Sequence, residues 1–269
     1  MPALAETVIK PQPKPKIPLP SISVDLPIDL SVDLPIEDGE PLESNSHRMA
    51  MTALIHSLKH AYADRPDVFI GGNMFVYFSQ YQLKNTDYRG PDFFVVLDTI
   101  KNDDREAWYT WEEGGRTPNM VIELLSKTTR AYDLTEKKNI YEQTLKTEDY
   151  FVFDPLYPDY FRGWHLVNGR YQELQPNENG WLWAESLGLW IGVWFGQIEE
   201  APQSRRWLRF YDTDGQLLLL PDEDERLQKE DERLQKEIAL QQVEEERQRV
   251  EQLMKLLRAQ GVNTDEIDF

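Results

Sequence analysis

Cysteine is absent from the 269-residue chain, so disulfides, thiol nucleophiles and cysteine-based zinc sites are excluded. The absence suits a reducing compartment, where structural disulfides are rare. No apolar run approaches the roughly 18–20 residues that a bilayer span requires. The opening MPALAETVIK lacks the basic-then-apolar order of a secretory signal. A cytoplasmic protein with no membrane segment is therefore expected. Basic residues are also scarce: 29 Lys and Arg face 48 Asp and Glu, giving a net charge of −19. That balance argues against nucleic-acid binding through a broadly basic surface. Residues 1–45 carry −5 and residues 222–269 carry −7, which leaves −7 for the centre.

Enough apolar material is present for a core, with 40% hydrophobic and 12% aromatic residues. One main domain with appendages is the natural reading of this length. Residues 1–42 read as a disordered leader. PQPKPKIPLP is proline-rich, SVDLPI occurs at 23–28 and again at 31–36, and closely spaced prolines block both helix and sheet pairing. A docking peptide is the sharper alternative for this segment.

Residues 43–221 read as the globular domain. In NSHRMAMTALIHSLKHAY the apolar Met51, Leu54, Ile55 and Leu58 recur at helical spacing, with Asn45 or Ser46 as cap. DVFIGGNMFVYFSQY reads as a hairpin turning at Gly71-Gly72-Asn73. DFFVVLD and MVIELL are short continuous apolar runs, the kind needed by a sheet covered on both faces. A helix at about 133–147 precedes the strand DYFVFDP, and a hairpin at Asn168-Gly169 and a strand pair in RRWLRFYDTDGQLLL follow. Helices and strands mix, so the fold class is α/β: a central mixed β-sheet flanked by helices.

Residues 222–260 change character. DERLQKE at 224–230 repeats without change at 231–237, placing Leu227 and Leu234 in one seam. Val243, Val250, Leu253 and Leu257 form a second heptad-spaced set, and the nine residues from Leu234 to Val243 break the register. The segment reads as a short, imperfect coiled coil or a single charged helix, stopped by Gly261, with residues 261–269 as a tail.

Candidate chemistry gathers around acids. Asp92 follows Pro91 at the start of FFVVLD, and Glu123 sits inside VIELLS. If those strands are neighbours, two carboxylates meet at one sheet edge and raise each other's pKa unless a cation separates them. A hard cation such as Mg²⁺ takes oxygen ligands, and the main-chain carbonyl of Leu125 offers a third. Asp133, Lys137 and Tyr141 are spaced i, i+4, i+8 and share one helix stripe. That stripe can bring Lys137 over the carboxylates, to orient water or stabilise charge on a phosphate. An ordinary Asp133–Lys137 helix pair is the plainer account. Glu43 and His47 form another i, i+4 pair on the first helix. His47 lies on the inward stripe, either as a satisfied core histidine or as an outer ligand or proton shuttle.

GPDFFVVL, NMVIELLSKTTRAYDLTEKKNIYEQ and DYFVFDP, in that order, resemble the Uma-two family of putative restriction endonucleases, common in cyanobacteria and part of the PD-(D/E)xK nuclease superfamily. The likeness covers roughly 43–215, with WLWAESLGLWIGVW and RRWLRFYDTDGQLL as closing elements and LLRAQGVNTDEI as a familiar appendage. It implies a restriction-endonuclease-like fold and roles for particular residues. Asp92 matches the Asp of the PD motif, and Glu123 matches the acidic residue of (D/E)xK. The superfamily lysine would fall at 125, where this chain has Leu125; Lys137 occupies the place of a lysine moved to the following helix. Glu43 and His47 match polar positions opening the first helix, and Asp133, Tyr141 and Ser126 also match. The implied activity is Mg²⁺- or Mn²⁺-dependent hydrolysis of DNA phosphodiesters, carried by Asp92, Glu123 and Lys137.

Two other readings compete. A noncatalytic protein-interaction module on a nuclease-like scaffold suits the acidic surface, and the C-terminal helix would recruit a partner or pair two copies into a homodimer. A ligand groove lined by Trp181, Trp183, Trp190 and Trp194 is the other, against which core or dimer packing is simpler.

Overall fold

The computed structural model describes residues 44–79, 88–199, 201 and 203–260. The proline-rich leader, Glu43 and the tail beyond Gln260 lie outside the described residues. In chain order the elements are α1 (Asn45–Ala61), β1 (Val68–Gly71), β2 (Val76–Tyr77), β3 (Tyr88–Arg89), β4 (Phe93–Leu97), β5 (Trp108–Tyr109) and β6 (Met120–Leu124). A helical run, α2, covers 130–145. Then come β7 (Asp149–Phe153), β8 (Phe161–Val167), β9 (Arg170–Glu173), β10 (Leu182–Ala184), β11 (Leu189–Gly196), β12 (Arg205–Tyr211) and α3 (Pro221–Ala259).

The apolar runs build a mixed sheet of six strands in the order β1-β4-β6-β7-β8-β9. Its β6–β7 pair is parallel and joined by α2, while the other neighbours run antiparallel. This is the expected α/β class. Both faces are covered, which explains the hydrophobicity of FFVVL and, apart from Glu123, of MVIEL. On one face Val95, Ile122 and Phe151 pack with Ala50, Leu54 and Leu58 of α1 and with Trp207, Leu208 and Phe210 of the sheet β10-β11-β12. On the other, Phe94, Val121 and Val152 pack with Tyr141 and Leu145 of α2 and with Val76 and Trp108 of the sheet β3-β2-β5. Successive strand side chains alternate between faces. Val121 and Leu125 face α2, so Glu123 between them faces α2 as well. Phe94 and Val96 fix the same side for Asp92.

Several local expectations are corrected. Gly71-Gly72-Asn73 is no hairpin: β1 pairs with β4, while β2 leaves to pair with β3 and β5 in another sheet. The chain here crosses over Asp92, and a Cβ on Gly72 would collide with the Asp92 carbonyl oxygen. Asn73 takes a left-handed φ of 50° and donates its N–H to the Pro91 carbonyl at 3.0 Å. The cap of α1 is Ser44, one residue before Asn45 and two before Ser46, the expected caps; its hydroxyl accepts the His47 N–H at 3.3 Å. RRWLRFYDTDGQLLL contributes one strand, β12, on β11, and its second arm adds only the bridge Tyr211–Leu217. The hairpin at Asn168-Gly169 joins β8 to β9, both turn residues having positive φ as a two-residue turn requires.

α2 starts earlier than expected and is irregular. Short α turns at Arg130–Tyr132 and Lys138–Ile140 alternate with π-helical segments at Asp133–Lys137 and Tyr141–Leu145. It ends at Lys146 in the left-handed conformation.

α3 is one helix of 39 residues, continuous through the register break. Pro221 opens it, where a missing N–H costs nothing. Glu223 reaches back to accept the Leu220 N–H at 2.8 Å. The same carboxylate receives Arg209 Nη1 and Nη2 at 3.0 and 2.6 Å, and Arg209 is fully buried beneath it. From Leu227 onward most apolar residues, including Leu234, Val243 and Leu253, are exposed, while Val250, Met254 and Leu257 are half-buried. The tryptophans pack within the fold: Trp181 stacks on Tyr211, Trp183 meets Trp190 edge-on, and Trp194 lies under Arg209. No helix among the described residues is long and apolar enough to cross a membrane.

Candidate active site

The two acids meet where β4 and β6 come together. The ladder places Phe93 opposite Ile122, so Asp92 and Glu123 lie just beyond the last paired residues. Side chains there replace the ladder's backbone bonds. Asp92 Oδ2 accepts the Leu124 N–H at 2.7 Å, and the Asp92 N–H points to Glu123 Oε2 at 3.4 Å. Asp92 keeps partial exposure, whereas Glu123 has none. Asp92 Oδ1 has no hydrogen-bond partner among the described residues.

α2 supplies the rest. Lys137 Nζ lies 3.1 Å from Glu123 Oε2 and 3.1 Å from Asp133 Oδ1. The Tyr141 hydroxyl donates to Glu123 Oε1 at 2.9 Å. The expected row of Asp133, Lys137 and Tyr141 therefore exists and converges on Glu123. The π segments help to make it straight. In an α-helix each step of four residues drifts about 40° around the axis; the wider π turn drifts the other way. Alternating the two cancels much of the drift.

Electrostatics follow from burial. Burial pushes the Glu123 carboxyl up to about 8, with Asp92 and Asp133 adding repulsion and Lys137 opposing both. Burial also raises Asp92, again against the pull of Lys137. Burial disfavours the Lys137 ammonium, yet Glu123, Asp133 and Asp92 outweigh it and hold its pKa above the ordinary value. Tyr141 is raised by burial and then by Glu123, so it remains a donor. Three carboxyl groups thus share one ammonium in a largely buried cluster, and ionising all three is costly without further positive charge.

This donor set suits a hard divalent cation that keeps part of its water shell. Asp92 and Glu123 would hold it, with Asp92 Oδ1 the oxygen still open. Among the described residues no group of three or more His, Cys, Asp or Glu side chains forms a ready-made cage, so several ligands would be waters. The Leu125 carbonyl already has a partner, His47 Nε2 at 3.0 Å, which leaves it one lone pair.

The remaining sequence candidates separate by role. His47 is buried and bridges α1 to the end of β6. A carbonyl only accepts, so Nε2 carries hydrogen toward Leu125, while Nδ1 meets the Ser44 hydroxyl at 2.7 Å. Both nitrogens are engaged in tethering. Ser126 organises the loop entering α2: its hydroxyl accepts the N–H groups of Thr128 and Thr129 at 3.2 and 3.1 Å. Sequence reasoning missed Asp154. One of its oxygens accepts the N–H groups of Leu156 and Tyr157, and the other pairs at 2.8 Å with Arg130, which opens α2. The Asp-Pro pair in FDP is the turn signal that could have found it. Tyr150 was missed as well; its hydroxyl donates to the Asp133 carbonyl at 2.8 Å.

A mixed sheet flanked by helices, with an acid at the start of one central strand, an acid inside its neighbour and a lysine presented from the next helix, defines a restriction-endonuclease-like domain. Residues 29–199 match the Uma2 family, described as putative restriction endonuclease, and the chain belongs to that family. The match includes every residue of the cluster and stops before β12 and α3. No curated protein matches the chain.

Proposed function

We propose that this chain is a metal-dependent endonuclease that hydrolyses DNA phosphodiesters at the Asp92–Glu123–Lys137 cluster. The observation that carries the reading is Lys137 Nζ at 3.1 Å from Glu123 Oε2, which provides the ammonium that Leu125 cannot. Asp92 and Glu123 hold Mg²⁺ or Mn²⁺, which when bound polarises the phosphate and acidifies an attacking water. Lys137 stays protonated and serves as a donor rather than a base. One of its N–H groups is donated to Glu123 Oε2, Asp133 Oδ1 lies 3.1 Å away as an ion-pair partner without a hydrogen bond, and the remaining donor capacity is available for a phosphate oxygen or the water. Tyr141 and His47 hold the carboxylate and the end of β6 in place.

Supercoiled plasmid and single-stranded DNA, incubated with Mg²⁺ or Mn²⁺, test the reading. Cutting that requires the metal and disappears in Asp92→Ala and Glu123→Ala is the expected result. Folded wild-type protein that cuts neither substrate would instead favour the interaction module, for which the exposed length of α3 speaks.

We also propose that α3 pairs two copies of the chain. Its stripe of Leu240, Val243, Val250, Met254 and Leu257 follows heptad spacing, and Leu240 and Val243 are exposed. Light scattering is expected to give twice the chain mass for the full chain and the single mass after truncation beyond Glu237. Truncation at Pro221 would remove Glu223 and orphan buried Arg209. Equal masses before and after truncation would reject pairing through the distal helix.

A further inference from the structure

We infer that Tyr141 is a positioning residue, whose hydroxyl fixes the rotation of the Glu123 carboxylate and so sets which oxygen faces the cation. The assignment rests on the metal-site reading above. A glutamate side chain reaches its carboxylate through three rotatable bonds, and nothing in a β-strand sets the last of them. In this fold the two oxygens receive different partners. Oε1 accepts the Tyr141 hydroxyl at 2.9 Å, and Oε2 lies 3.1 Å from Lys137 and 3.4 Å from the Asp92 N–H. Without the hydroxyl, Lys137 can attract either oxygen, and the carboxylate is free to turn about its axis. With it, Oε2 is committed to the side shared with Asp92.

Tyr141 is itself rigid. It is fully buried, with its ring 5.2 Å from that of Tyr150, which in turn lies 5.9 Å from both Trp164 and Tyr171. The hydroxyl therefore arrives from a fixed wall of aromatic rings rather than from a mobile surface chain. Groups that orient a metal ligand in this way typically alter metal affinity by about 10–100-fold when removed.

Tyr150 provides an internal control. It is equally buried and sits in the same ring stack, but its hydroxyl donates to the Asp133 carbonyl and makes no hydrogen bond to Glu123. Phenylalanine at either position deletes one buried hydroxyl and keeps the ring.

The test is Mn²⁺ titration of the full chain, followed by calorimetry, for wild type, Tyr141→Phe, Tyr150→Phe and Glu123→Gln, with melting temperatures measured without metal. Tyr141→Phe is expected to raise the Mn²⁺ Kd at least about tenfold. Tyr150→Phe is expected to lower the melting temperature comparably and leave Kd within about twofold. An unchanged Kd in Tyr141→Phe, or equal rises in both variants, would overturn the positioning role. Wild type and Glu123→Gln binding Mn²⁺ alike would overturn the metal-site reading beneath it, so the two failures are told apart.

Discussion

Lys137→Ala is expected to lower the single-turnover rate of DNA cleavage by about 10²–10³-fold, the usual cost of removing one preorganised donor from a developing charge. The Mn²⁺ affinity should change far less, because the proposed ligands remain. The substitution also strips Glu123 and Asp133 of the cation they share at 3.1 Å, so a melting curve must show the variant folded before its rate is read. A second substitution sharpens the result. Leu125 projects from the same face of β6 as Glu123, so Leu125→Lys in the Lys137→Ala background places an ammonium beside the same carboxylate. At least tenfold rescue is expected if the cluster needs the charge and not the helix that carries it. Full activity in Lys137→Ala would remove the lysine from the mechanism and leave the two acids standing.

The second large effect concerns stability. Glu223→Ala is expected to cost about 3–5 kcal/mol, because it leaves the Arg209 guanidinium buried without its counter-charge. Arg209 is fully buried, and its remaining contacts, the Leu218 carbonyl at 2.9 Å and the Trp194 ring at 5.0 Å, cannot replace a carboxylate. Thermal or urea unfolding measures the loss; a change below about 1 kcal/mol would place the pair among the weak surface bridges. The pH dependence has a definite sign. Burial opposes the Glu223 charge, but the Arg209 bonds and the Leu220 N–H outweigh it and hold the carboxyl below its ordinary value. Its stabilisation is therefore present above the unfolded glutamate pKa and is lost as pH falls through the lower folded value. Wild type and Glu223→Gln should converge in stability at strongly acid pH.

Much of the candidate site could be read directly from residue spacing. MVIEL states both its burial and, through the strand period, the side on which Glu123 must emerge. Asp133, Lys137 and Tyr141 at i, i+4, i+8 declare a shared stripe, and β6–α2–β7 is the short crossover that lays this stripe over the sheet. Some misses are local, such as the Ser44 cap and the Asp154 turn, but the larger ones depend on partners outside the segment being read. Gly71-Gly72-Asn73 has the composition of a hairpin, but β1 finds its partner in β4, and Gly72 is needed because Asp92 passes against it. The π segments at Asp133–Lys137 and Tyr141–Leu145 leave no compositional mark. Arg209 and Glu223 lie 14 residues apart in segments that read as a strand and a surface helix, and nothing in either announces a buried ion pair.

That ion pair makes α3 a lever. At about 1.5 Å per residue, its 39 residues extend about 58 Å, and the buried grip lies within the first turn. A rotation of about 10° at Arg209 sweeps the far end through about 10 Å, by the same length. A partner bound at the tip, as proposed above, would be held from a base on β12, a strand of the layer that also packs on α1, and through His47 α1 is tied to the end of the strand bearing Glu123.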